Sequence, residues 1–173
     1  MRSFEQLRTP ITGIVVDESA CETDDLAFCG GVQVTVPASD SWAGFVERAV
    51  DSDWVGIEAL AAVPGTVADA VSTAATAYGQ SVADTLASVR TWDRAADTQK
   101  SFPVSELGLG NGSSRLLEPL GDGGLRYELL EATFLFRQGD PTSPIHDAGL
   151  AERLGVDEGV RVALEVVSRA VRS

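Results

Sequence analysis

The chain has 173 residues (18.2 kDa), with 26 acidic and 13 basic side chains, a formal charge of -13, and 44% hydrophobic residues. A domain of this size hides about two thirds of its unfolded surface, enough for a real core, so disorder is excluded. The negative charge repels phosphate backbones and anionic membrane surfaces, which argues against nucleic-acid and membrane partners. No segment approaches the ~20 apolar residues that span a bilayer. The start, MRSFEQLRTP, places two Arg and a Glu where a secretory signal needs an apolar stretch. The expected location is the cytoplasm. Cys21 and Cys29, with the single histidine His146, supply neither a disulfide framework nor a metal site, so reduced thiols and no metal are expected.

In chain order, residues 11–16 and 32–36 are rich in β-branched side chains, and Val32, Val34 and Val36 alternate with Gln33 and Thr35 as in a half-buried strand. Between this expected strand pair, ESACETDD reads as a solvated connection. Trp42, Phe45, Val46, Ala49 and Val50 then form one helical stripe, capped by Ser39 or Asp40. Residues 54–80 are low in charge and dense in small side chains, which allow close approach of backbone or of a flat ligand. Residues 86–92 predict a strand. Residues 126–137 predict a longer one, with Leu130, Ala132, Phe134 and Phe136 on one face; Leu129 and Leu135 on the other predict cover on both sides. Two helices follow, over 144–154 and 160–171, with Gly155 and a turn between them. The sum is a single α+β domain over 1–173: a mixed or antiparallel sheet flanked by helices, with a helical C-terminal segment, 141–173, packed on it.

Few motifs carry chemistry. LGLGNGSS (107–114) lacks the spacing of a dinucleotide fingerprint, since Ser113 stands where the third glycine belongs, and reads as a flexible loop. His146 lacks a partner histidine and reads as a surface or capping residue. No GxSxG elbow is present. Asp69 is an acid in a low-charge segment, best read as a solvated helix position. Trp42, Trp54 and Trp92 are read mainly as core.

The segments WVGIEALAAVPGTV and AYGQSVADTLASVRTWDR, with TPITGIVVDE before them and SELGLGNGSSRL, SPIHDAGLAERLGVDEG and VVSRAVRS after, resemble in collinear order the flavin-binding region of the UDP-N-acetylenolpyruvoylglucosamine reductase (murB) family. The resemblance implies an α+β fold like the second part of a murB-type FAD-binding domain. That family uses FAD and a reduced nicotinamide to reduce an enolpyruvyl ether. The resemblance also implies departures. It places the diphosphate loop before this chain and the substrate lobe after it. Asn111, Gly112, Ser113 and Ser114 stand where the family carries YRxS, so Gly112 replaces the catalytic arginine. Val71, Ser72, Thr73 and Ala74 stand where it carries PxQN, so polar flavin contacts become small or apolar ones.

The expectation is therefore a degenerate flavin domain that binds no cofactor. Its vacated hollow is lined by Val63, Pro64, Thr66, Val67, Val71, Thr73, Ala74 and Ser113, and suits a small hydrophobic molecule. Tyr78, Gln80 and Asn111 are the candidate catalytic residues, orienting substrate by hydrogen bonds. With few ionisable groups at hand, the fitting activity is non-redox cyclisation or cycloaddition of a polyketide-like chain, driven by conformational restraint. The alternatives are a flavin-binding fragment of a murB-type reductase and a non-catalytic ligand- or partner-binding protein. Surface left bare by a missing lobe makes a homodimer the expected assembly.

Overall fold

The computed structural model describes residues 4–19, 31–110 and 112–173. The connection from Ala20 onward, both cysteines and Asn111 lie outside the described residues.

A five-residue helix α1 (Phe4–Arg8) precedes the short strand β1 (Val15–Asp17), which pairs antiparallel with β2 (Gly31–Pro37). The alternation of β2 is realised: Val32, Val34 and Val36 have no exposed surface, whereas Gln33 lies on the open face. Helix α2 (Trp42–Asp51) buries Trp42, Phe45, Val46 and Ala49, the stripe read from the sequence. Its cap is Ser41, whose hydroxyl accepts the Gly44 N–H at 3.2 Å. β3 (Trp54–Val55), α3 (Val67–Ser72), the hairpin β4 (Thr76–Ala77) and β5 (Gln80–Ser81), and the one-turn α4 (Val82–Thr85) lead into β6 (Leu86–Asp93) and β7 (Thr98–Pro103). β8 (Tyr127–Gln138), α5 (Ala148–Leu154) and α6 (Leu164–Arg172) complete the chain. The main sheet runs β1-β2-β8-β6-β7, with β3 also on β8, and every pairing is antiparallel.

β8 is the central strand, and on its inner face Ala132, Phe134 and Phe136 pack under α2. Phe134 and Phe136 stack in parallel with centroids 5.6 Å apart, and Phe45 of α2 lies 5.2 Å from Phe134. All three tryptophans are buried.

Cover on both sides of β8 is not what the structure shows. Leu135 is 55% exposed, and the outer face carries Thr35 and Thr133, whose hydroxyls hydrogen-bond at 3.0 Å. A hydroxyl pair needs no apolar cover, so an antiparallel sheet open to water on one side satisfies this face. Among the described residues the cover lies at its β6 end: there the Arg90 guanidinium grips Glu131 through two N–H donors (2.8 and 2.9 Å) and donates to the Leu7 and Thr9 carbonyls, strapping the N-terminal segment down.

Two further expectations shift. The helix expected from residue 144 begins at Ala148, with Pro144 and Ile145 outside any helix or strand, and is capped by Asp147. The helix expected from residue 160 begins at Leu164. β7, polar along most of its length, was not visible as a strand; only Phe102 in it is buried.

Candidate functional site

Residues 54–85 build two clefts, and their turns explain how. After β3 the chain bends at Gly56 (φ 134°), and Glu58 folds back so that one carboxylate oxygen accepts the Gly56 N–H at 2.8 Å. The other accepts an amide N–H of Gln80 at 2.9 Å, while the Gln80 carbonyl accepts the Ala59 N–H at 2.9 Å. Glu58 is 1% exposed, yet among the described residues no cation pairs with it. Its oxygens are satisfied by neutral donors, as burial of a carboxyl group requires.

At Gly65 (φ 97°) a side chain would meet Asp69, whose carboxylate closes a capping box with Thr66 at the start of α3. The Thr66 N–H and hydroxyl both donate to that carboxylate and hold its pKa below the ordinary value. Asp69 is exposed, as read. After α3 and its cap Thr73 the chain turns at Ala74 (φ 50°), and the hairpin then turns at Tyr78 (φ 51°) and Gly79 (φ 79°). Two successive positive φ values are the mark of a type I′ turn, whose twist matches the flanking strands.

The first cleft lies between α3 and the Tyr127 end of β8. It encloses about 590 Å³ and is lined by Ala68, Thr73, Leu117, Leu125, Tyr127 and Leu129. The second encloses about 420 Å³ beside the Arg137 end of β8, where β6 has stopped and β3 begins, and its walls include Glu58, Tyr78, Gln80, Arg137, Ile145 and His146. From Leu129 to Leu135 is six residues of strand, about 20 Å.

The residues read as one hollow are thus distributed. Thr73 lines the first cleft; Tyr78 and Gln80 line the second. Val67 and Val71 have no exposed surface and Ala74 has 6%, so these three are core. Val63 is half-buried, Thr66 is the cap just described, and Pro64 and Ser113 are exposed. Sequence reasoning passed over Glu58, Arg137 and the lining role of His146. An acid inside the apolar run IEAL was the one signal for Glu58; nothing in the sequence marked Arg137.

Two comparisons decide the ancestry. The chain is 39% identical over 148 residues to a UDP-N-acetylenolpyruvoylglucosamine reductase of Cutibacterium acnes, and 35% identical over 157 residues to one of Thermobifida fusca. Over most of its length, the chain is homologous to the MurB family. Those matches take in 85% and 91% of this chain but 38% and 42% of the relatives, so it spans about two fifths of their length. The crystal structure of MurB from Thermus caldophilus superposes with a TM-score of 0.52 at 22% identity, over 61% of this chain and 36% of that one, a likeness of fold. The chain matches no family model.

MurB homology raises the question of a flavin. Of the four positions aligned with PxQN, Val71 and Ala74 are buried and apolar. The Thr73 hydroxyl donates to the Asp69 carbonyl at 2.7 Å, and the Ser72 carbonyl accepts the Ser114 hydroxyl at 2.6 Å. No side-chain amide is offered in this stretch, and Gly112 supplies no cation at the arginine position. These residues do not fit the flavin contacts the MurB resemblance implies.

Proposed function

We propose that this chain acts without flavin, holding a largely apolar small molecule in the cleft between α3 and the Tyr127 end of β8. The observation that carries the reading is the lining itself. Leu117, Leu125, Leu129 and Ala68 dominate it, and Leu125 is 43% exposed. Its ionisable groups are few: Asp69 holds its capping box through one oxygen, Arg94 pairs with Asp122 at 2.5 Å and Glu128 with Arg8 at 3.5 Å, while the Tyr127 hydroxyl is buried without a hydrogen-bond partner among the described residues. A site so short of free acids and bases favours chemistry that asks for shape, because restraint of a flexible chain near its reactive geometry removes several kcal/mol of barrier. The activity proposed is cyclisation of a polyketide-like chain. In a cycloaddition two π bonds become two σ bonds, and no electron or proton is drawn from the protein. Tyr78 and Gln80 take no part in this reading, since they line the other cleft.

The test is direct. The purified protein is expected to lack visible flavin absorbance and to bind anilinonaphthalene sulfonate at one site. Leu125→Asp, at an exposed position, should weaken that binding several-fold without lowering Tm. Near-stoichiometric flavin overturns the proposal. It would instead support a second reading, the flavin-binding part of a MurB-type reductase, which the 39% identity to a reductase favours.

A further inference from the structure

The second cleft holds charges that the proposed activity does not use. Arg137, at the end of β8, donates from one terminal nitrogen to the Pro141 carbonyl at 2.8 Å and from the other to the Gly139 carbonyl at 3.4 Å. These bonds fix the guanidinium against its own loop without neutralising it, and among the described residues no carboxylate pairs with it. Asp84 and Asp147 line the same cleft. Each commits one oxygen to a backbone N–H, Asp84 to Ser81 at 3.0 Å and Asp147 to Leu150 at 2.8 Å, so each is held in place with its second oxygen uncommitted. Neither forms an ion pair among the described residues. Besides Glu58, both of whose oxygens are engaged, the cleft therefore contains a fixed cation and two fixed anions held apart beyond ion-pair distance.

The same cleft has an apolar part to its lining, Leu135, Ile145 and Val167. Tyr78 also lines the cleft, from a backbone conformation (φ 51°) that an aromatic residue adopts only against steric resistance. A volume of about 420 Å³ lies at the lower end of small-molecule sites.

We propose that this cleft binds a zwitterion of amino-acid size with an apolar side chain. The ligand carboxylate meets Arg137, its ammonium meets Asp84 and Asp147, and its side chain lies on Leu135 and Ile145. Charge-assisted hydrogen bonds at both ends would make the whole molecule bind better than either half. The proposal stands on residues other than those of the first cleft, so it survives or fails separately from the proposed function.

The experiment is calorimetric titration of the full chain with L-leucine, isopentylamine and isocaproate, which share the isobutyl group and carry both charges, the cation alone and the anion alone. Leucine is expected to bind at least about tenfold more tightly than either half. Arg137→Gln should cost leucine about tenfold and leave isopentylamine unchanged, whereas Asp84→Asn, which keeps a capping oxygen, should weaken both while sparing isocaproate. The proposal is overturned if leucine shows no saturable binding, if it binds no better than isopentylamine, or if Arg137→Gln keeps wild-type circular dichroism and wild-type affinity.

Discussion

Replacing Glu58 with alanine tests whether the buried carboxylate holds the two sides of the second cleft together. The substitution removes the acceptor for two N–H groups, those of Gly56 and Gln80. An orphaned buried donor costs about 1–3 kcal/mol. The adjoining cleft lets water reach part of the site, which favours the lower end, so the pair contributes about 2 kcal/mol. The space vacated, roughly 40 Å³, adds about 1 kcal/mol at ~24 cal/mol per Å³. A loss near 3 kcal/mol should lower Tm by about 6–12 °C for a chain of this size. Glu58→Gln retains one oxygen but turns an N–H group toward the remaining donor, and should lose about 1–2 kcal/mol. Urea unfolding followed by fluorescence of the three buried tryptophans gives both values. A cycle with Gln80→Ala should show coupling of about 1 kcal/mol or more, because each residue satisfies groups beside the other. Were Glu58→Ala to change stability by less than about 0.5 kcal/mol, or the two substitutions to add independently, the network would have no structural role.

Arg90→Met should destabilise by about 3–5 kcal/mol, since it leaves Glu131, 13% exposed, facing no guanidinium and frees the Leu7 and Thr9 carbonyls; limited proteolysis should then cut first within residues 4–14. Asp93 accepts two N–H donors of Arg126 at 3.0 and 2.9 Å, which hold its pKa below the ordinary 3.8. A carboxylate depressed in this way stabilises the fold at pH above its unfolded value and stops doing so as pH falls through its folded value. Asp93→Asn should therefore cost roughly 1.5–3 kcal/mol near neutrality, with a gap to wild type that narrows below about pH 4 in denaturation curves. Gly56→Ala places a methyl 2.6 Å from the Thr85 side chain at φ 134°, and thermal melting should show a loss of roughly 2 kcal/mol.

The fold was legible where burial imposes a period. Val32, Val34 and Val36 on β2 and the Trp42 stripe of α2 are positions whose side chains must all reach one core, and the chain announces them. β7 announces nothing, because an edge strand with one buried residue owes its conformation to β6, not to its own pattern. Cover on both faces of β8 is the expectation that Leu129 and Leu135 raise together; Leu129 is half-buried against the core, but Leu135 is exposed and pairs across the strand with the exposed Gln33, so that part of the face stays open. The site was legible only in part, for a geometric reason. Thr73 and Tyr78 are five residues apart, and the chain between them leaves α3 and enters a hairpin, so neighbours in sequence end in different clefts. Arg137 was hidden because its neighbours in space, Asp84 and Asp147, come from two other parts of the chain.

Ala74 shows most plainly how this scaffold differs from its relatives. It follows α3 at φ 50°, the left-handed position at which helices commonly end in glycine or asparagine, and alanine there meets steric resistance. The resemblance to MurB places asparagine at this position, the non-glycine residue best suited to that conformation. The backbone thus has the shape an asparagine prefers, while the side chain in place is a methyl group 6% exposed. Relief of the left-handed strain should offset the cost of burying an amide, so Ala74→Asn is expected to stay within about 0.5 kcal/mol of wild type. Ala70→Asn, in α3 and 1% exposed, has no strain to relieve and should lose about 1–3 kcal/mol. Equal losses at the two positions in urea unfolding would show that the turn after α3 carries no preference for asparagine. Flavin gained by Ala74→Asn would show in addition that the missing amide, and not the shape of the cleft, is what keeps the cofactor out.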